Sequence, residues 1–326
     1  MRRRQFITLI GSAAVWPLTT RAQQPGHIYQ IGFLVPTSRD VPAMLAFFDE
    51  LRIHGFLEGQ NLKVVAGGFV VRNELLSQEA AVLVAAAPDV IVGGPELPLL
   101  ALQKLTKAIP LVGMTEDMVE AGLVASLSHP GGNTTGISLL SHELDGKRQD
   151  LLIETVPAAR KIAAFADANV TPPAHLEKLQ QAARVRGIEL SIFRVAKPEE
   201  IIPAINAAKG SGTAAINFLA TPLFSVPGNP SAAVVREQVA AARLPAIFQW
   251  PETAEEGGLI AYGPRFNEVF RQRARMVVKI LRGANPIDMP VEQPTKFELV
   301  VNLKAARAIG HNVPAGLVLR ADKVIE

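Results

Sequence analysis

Tyr29-Gln30-Ile31-Gly32-Phe33-Leu34-Val35 is a short, β-rich apolar run, followed by Pro36-Thr37-Ser38 and then, from Met44 to His54, by apolar residues at helical spacing. A strand that gives way at once to a helix, repeated along a chain, is the mark of a parallel sheet covered by helices. The unit recurs. Leu62–Val65, Val90–Val92 and Ile109–Val112 read as strands, and Glu74–Ala86 and Leu99–Lys107 as helices, which completes a first lobe of four such units.

Pro130-Gly131-Gly132-Asn133 interrupts the alternation, and Gly136–Leu140 resumes in extended form, as expected of a chain that leaves one lobe for another. The pattern then restarts. Strands are expected at Ile162–Ala166, Glu189–Phe193, Ala214–Phe218 and Ala246–Phe248, with helices at Ala174–Val185, Pro198–Ala208 and Ala232–Arg243. Beyond them, Leu259–Tyr262 is extended, Asn267–Leu281 helical, Phe297–Val301 extended, and a last helix starts at Leu303. These leftovers are too few for a third domain, so the chain is expected to return and complete the lobes it has started. The fold class is therefore α/β: two doubly wound parallel-sheet lobes joined by a three-segment hinge. Residues 28–136 plus 262–287 form lobe 1, and 137–261 plus 288–326 form lobe 2.

A length of 326 residues suits two such lobes, each able to bury its own core. With 48% hydrophobic and 19% charged residues, the chain is neither disordered nor fibrous. It has no cysteine, which excludes disulfides, thiolate metal sites, a thiol nucleophile and a lipid-modified cysteine anchor. The formal charge of +3 is concentrated at the start: Arg2, Arg3, Arg4 and Arg21 precede position 23, and no acid does. Without these four of the 33 basic residues, 29 face 30 acids and the net charge is −1, so the basicity is no nucleic-acid footprint.

That start has a basic n-region, an apolar run from Phe6 to Leu18, and Thr20-Arg21-Ala22-Gln23. It reads as an export signal (residues 1–22) cleaved near Ala22, and it is too short to span a bilayer permanently. Arg3-Arg4-Gln5-Phe6 fits the core of a twin-arginine signal, although Arg2 stands where Ser or Thr is usual. The expected location is the periplasm.

No catalytic signature appears: there is no Gly-x-Ser-x-Gly elbow, no Walker A loop and no His-Glu-x-x-His, and Gly131–Gly136 lacks dinucleotide-turn spacing. The six histidines, at 27, 54, 129, 142, 175 and 311, lack metal-ligand spacing. No catalytic residue, metal or cofactor is expected, and the chain is read as a binding protein and not an enzyme.

In open α/β sheets a ligand lies outside the carboxyl ends of the strands, which makes the residues just after each strand the candidates. Thr37 and Ser38 offer hydroxyls and amides to a carboxylate or hydroxyl, or serve as an ordinary helix cap. At Gly94, Pro95 and Glu96 the glycine allows close approach of a ligand to the backbone. Asp117 is an acid that could meet an ammonium group, or a cap on the following turn. The second lobe places Asp167 and Asn169, then Thr221, then Gln249 and Trp250 at the equivalent positions. The Trp250 indole either stacks on a planar ligand or fills the hinge, and Tyr262 reads as hinge packing.

Four stretches carry a family resemblance: LRIHGFLEGQN (51–61), GLVASLSHPGGNTTG (122–136), QPTKFELVVN (293–302) and RADKVIE (320–326). With these the chain resembles, over essentially its whole length, the ABC-transporter substrate-binding proteins that include tryptophan/tyrosine-type members, of periplasmic-binding type I fold. The resemblance implies capture of a small organic molecule, aromatic or amino-acid-like, between two lobes that close about a hinge, with an ABC permease in the inner membrane as partner. Thr115-Glu116-Asp117-Met118 stands where relatives often read Gly-Gly-Asp-Pro, so only Asp117 carries over; Ala66-Gly67-Gly68-Phe69-Val70 replaces a more polar, aromatic-containing stretch. The alternatives are a periplasmic ligand-sensor module, distinguished by the absence of neighbouring permease and ATPase genes, and a secreted α/β enzyme, which needs an activated nucleophile or acid/base pair. A repressor of this fold would need a helix-turn-helix where the leader stands.

Overall fold

Ile31 to Leu34 are all buried, because helices cover both faces of the sheet in which they lie. The computed structural model describes residues 26–139, 141–227 and 230–326; the expected export signal lies outside the described residues. The first sheet contains β1 (Tyr29–Leu34), β2 (Leu62–Val64), β3 (Val90–Gly93), β4 (Leu111–Thr115) and β5 (Thr134–Ser138), all parallel, in the order β2-β1-β3-β4-β5. Side chains alternate between two cores. Leu34, Ile91 and Leu111 pack under α2 (Leu76–Ala85) and α3 (Glu96–Leu105). On the opposite face, Ile31, Phe33, Val90, Val92 and Val112 pack with α1 (Pro42–Ile53).

The second sheet contains β6 (Lys161–Asp167), β7 (Glu189–Val195), β8 (Ile216–Phe218), β9 (Ala246–Phe248), β10 (Ile260–Gly263), β11 (Glu298–Asn302) and β12 (Lys323–Ile325), in the order β12-β11-β10-β9-β8-β6-β7. One face, with Ile162, Ala164, Ile247 and Val301, buries leucines of α4 (Ser141–Thr155) and α5 (Pro173–Val185). The other, with Phe165, Ile216, Phe218 and Val300, buries Ile201 and Ile205 of α6 (Ile201–Gly210), Phe224 of α7 (Pro222–Ser225), Val235 and Val239 of α8 (Pro230–Ala241) and Ala254 of α9 (Pro251–Glu255).

The long helix α10 (Phe266–Leu281) follows β10 yet returns to the first lobe, where Phe266, Val269, Phe270 and Val277 complete the core shared with α1. The chain then runs along β5, with the Glu292 N–H donating to the Gly136 carbonyl (2.8 Å) and the Ser138 N–H to that of Glu292 (3.0 Å). It crosses back to β11, α11 (Leu303–Ile309), α12 (Ala315–Val318) and β12.

The two doubly wound lobes and three connections match the fold expected from sequence, with one addition. β11 is antiparallel to β10, pairing Ile260 with Val301 and Gly263 with Glu298. The cause is the third crossing: a chain arriving from the first lobe enters the second sheet at the end where the other strands leave it. β5 pairs through Ser138, β10 through Gly263, and Glu292 stays on the first sheet, so the chain changes lobes two to several residues beyond 136, 261 and 287.

Candidate functional site

The carboxyl ends of the two sheets face each other across a cleft of about 1080 Å³ lined by residues of both lobes. Pro36, Pro95, Thr115, Glu116 and Pro222 line this cleft and also a smaller inner recess of about 60 Å³ beneath it.

The first lobe supplies Thr37 and Gly94 to the recess, Pro95 to both spaces, and Glu96 and Asp117 to the outer cleft. Gly94 has φ +152°, and a Cβ there would lie 2.8 Å from the Met114 carbonyl oxygen; the floor closes only with glycine. Burial, with Glu120 adding to it, raises the Glu96 carboxyl above its ordinary pKa. Asp117 Oδ1 accepts the N–H groups of Val119 and Glu120 (2.9 and 3.0 Å), so that carboxylate is engaged as a cap. Ser38 is the one sequence-marked residue that the structure does not bring to either space: its hydroxyl donates to Asp40.

The second lobe brings Asp167, Asn169 and Thr221 to the outer cleft as one hydrogen-bonded unit. Asp167 accepts from the Asn169 backbone N–H (2.9 Å) and side-chain amide (3.1 Å) and from the Thr221 hydroxyl (3.0 Å). Thr221 in turn caps α7 by accepting from the Leu223 N–H (3.3 Å). Gln249 and Trp250 line the recess. Trp250 is 3% exposed, and its ring centroid lies 4.6 Å from that of Phe266, so it both packs on the first lobe's core and forms the recess wall with Phe270. Tyr262 packs at the hinge beside Phe297 (6.4 Å).

Sequence reasoning passed over two groups at the recess. Glu116, one residue before the marked Asp117, accepts from the Ser141 hydroxyl and from Gln249 Nε2 (3.3 Å), so a first-lobe carboxyl is held by two second-lobe side chains. Burial, reinforced by nearby Asp145, pushes its pKa up to about 7 against the pull of those hydrogen bonds. Arg273 of α10 is 1% exposed; its Nη2 donates to the carbonyls of Gly93 and Val112 (2.8 Å to the latter). Desolvation pushes its pKa down to about 9. The signal for Arg273 was present in sequence, as a charge on the apolar face of a helix between Val269, Phe270 and Val277. Among the described residues, Thr115 Oγ1, Gln249 Oε1 and Arg273 Nε are buried with no hydrogen-bond partner, and all three residues line the recess.

Behind the recess, α4 carries a buried polar cluster. Asp145 pairs with Arg148 (2.6 Å) and His175 (3.0 Å) and accepts the Ala220 N–H (3.1 Å). Arg148 further donates to the Tyr262 and Ser141 carbonyls (3.1 and 3.2 Å). Burial alone would raise the Asp145 pKa, but Arg148 and His175 hold it below the ordinary value. Among the described residues no three His, Asp or Glu gather as a metal site, and no helix is long and apolar enough to cross a membrane.

A two-lobed sheet architecture with unspent polar groups around an aromatic-walled inter-lobe recess is suited to holding a small molecule. The chain is similar over 273 residues, at 25% identity, to the tyrosine-binding protein of Clostridioides difficile (strain R20291), covering 82% of this chain and 76% of the relative. A conserved domain protein from Vibrio cholerae superposes with a TM-score of 0.77 at 24% identity, covering 91% of this chain and 99% of the other. An ABC domain from Streptococcus pneumonia in complex with L-Trp gives 0.75 at 22%, covering 91% and 100%. The model of the family described as ABC transporter substrate binding protein matches residues 43–325, nearly the whole described chain, and this protein belongs to that family.

Proposed function

We propose that this chain is exported to the periplasm, captures an aromatic or related amino acid in the inter-lobe cleft and the recess beneath it by hinge closure, and delivers it to an ABC permease in the inner membrane. The observation that carries the reading is the recess itself, where the Trp250 and Phe270 rings stand beside Glu116, Gln249 and Arg273 at the meeting of both lobes. Rings offer stacking area and the polar groups fix orientation, the division of labour of small-molecule sites. A relative named for tyrosine binding and a neighbour solved with L-Trp support the aromatic class. The marked residues other than Ser38 are the candidate contacts, with Glu116 added. Contacts from both lobes exist together only when the lobes are closed, so a ligand shifts the population toward that state.

The chain has two tryptophans, and cleavage after Ala22 removes Trp16, so fluorescence of the mature protein reports on Trp250 alone. Titration with aromatic amino acids, aromatic acids, branched-chain amino acids and purines is expected to give a saturable emission change with tyrosine or tryptophan. The same ligand should raise the melting temperature, with about 2.7 kcal/mol of stabilisation at 100 times Kd. Stabilisation by purines or branched-chain amino acids alone would overturn the aromatic assignment.

A further inference from the structure

The arginines of α10 divide sharply. Arg271 reaches Asp49 (3.3 Å) and Arg275 reaches Glu50 (3.2 Å), so the helix flanks are neutralised by α1. Between them, Arg273 points into the fold toward the last residue of β3, Gly93, and toward Val112 of β4, and its only hydrogen bonds among the described residues are the two from Nη2 to these backbone carbonyls. Among the described residues no carboxylate lies within ion-pair distance of it and Nε has no hydrogen-bond partner. Glu116, the acid that shares the recess, is engaged by Ser141 and Gln249 of the other lobe.

A guanidinium taken out of water and given only carbonyl dipoles is poorly compensated, and its depressed pKa still leaves it charged at neutral pH. The cost is recovered when an anion enters. Arginine is also the side chain best suited to receive one, since its planar fork presents several N–H donors to a carboxylate.

We propose that Arg273 is the anion subsite of the recess, so that the ligand must carry a carboxylate and its decarboxylated amine is rejected. This rests on the reading that the recess is the ligand site, and it assigns the ligand's carboxylate to the first lobe and leaves Glu116 for an ammonium or hydroxyl group. Thr115, whose hydroxyl is also unspent, stands beside the same floor.

The test uses matched probes on the mature chain: L-tryptophan, indole-3-propionate (carboxylate without amine) and tryptamine (amine without carboxylate), with L-leucine and 3-methylbutylamine as a non-aromatic pair. In the wild type each carboxylate that binds should do so roughly 30-fold or more tightly than its matched amine, as expected for a buried charge pair. Arg273→Met should abolish that preference by weakening carboxylate binding, and Arg273→Lys should restore part of it. Where Arg273→Met does not fold, Arg273→Lys decides, because a carboxylate preference as large as that of the wild type in this variant overturns the assignment to the guanidinium fork. Equal binding of tryptophan and tryptamine would overturn the subsite while leaving the aromatic reading intact. Arg273-dependent binding of leucine without any indole binding would sink the aromatic reading and keep the subsite. A carboxylate preference that persists in Arg273→Met, or no binding of any carboxylate probe, overturns the proposal.

Discussion

Arg148 and Arg273 are the two largest fully buried side chains among the described residues, and they have opposite surroundings. Arg148, in the second lobe, meets the Asp145 carboxylate and two carbonyls; Arg273, in the first, meets two carbonyls and no acid. A saturated cluster has nothing left for a ligand and fixes the positions of α4, α5 and the Tyr262 strand end. An unsaturated one is a cost to the empty protein that a ligand removes. Within one fold, completeness of pairing separates framework from site.

The contrast breaks most visibly at Asp145. Asp145→Ala leaves Arg148 and His175 buried without their acid, and denaturant unfolding should show a loss of about 3–5 kcal/mol. A loss below 1 kcal/mol would mean that the cluster is not framework. Glu116 sharpens the comparison through pH. The folded state keeps its proton up to about pH 7, whereas the unfolded chain releases it near 4.5, so the folded state binds more protons between those values. Stability therefore falls as pH rises across that window, by about 3 kcal/mol from this group, and Glu116→Gln should flatten the profile measured against wild type. The smallest effect is expected at Thr221, which caps α7 and donates to Asp167: Thr221→Ala should cost about 1–2 kcal/mol by thermal or denaturant melts.

Much of the frame was readable from periodicity, because strands covered on both faces are nearly continuous apolar runs, and helices such as α1 and α10 keep apolar residues three and four apart. α4 escaped that reading. Its sequence, SHELDGKRQDLLIET, is polar for two turns, and what it buries there is Ser141, Asp145, Arg148 and Gln149 beside Leu144, so the apolar pattern that announces a buried helix is absent. β12 is three residues, one exposed and two half-buried, and shows no alternation. Except for Ser38, the residues that follow the strands line the cleft or the recess; Asp117, which spacing reads as an ammonium partner or a turn cap, caps the turn, and the acid that lines both spaces is its neighbour Glu116. Which of two adjacent acids faces inward is decided by how the chain turns after Thr115, a feature outside the reach of spacing. Arg273 was visible in principle, as a charge on an apolar stripe, but only the tertiary structure shows that no acid meets it.

The return of α10 to the first lobe has a consequence for folding. The first lobe begins at Tyr29, but the partner of α1 is supplied by Phe266–Leu281, which follow β6 to β10 of the second lobe. Closing the first core therefore loops out the strands of the second lobe, and the second sheet gains β11 only after the chain has gone back through the first. Such long-range closures carry a loop-entropy cost and slow folding relative to a chain whose lobes are contiguous in sequence.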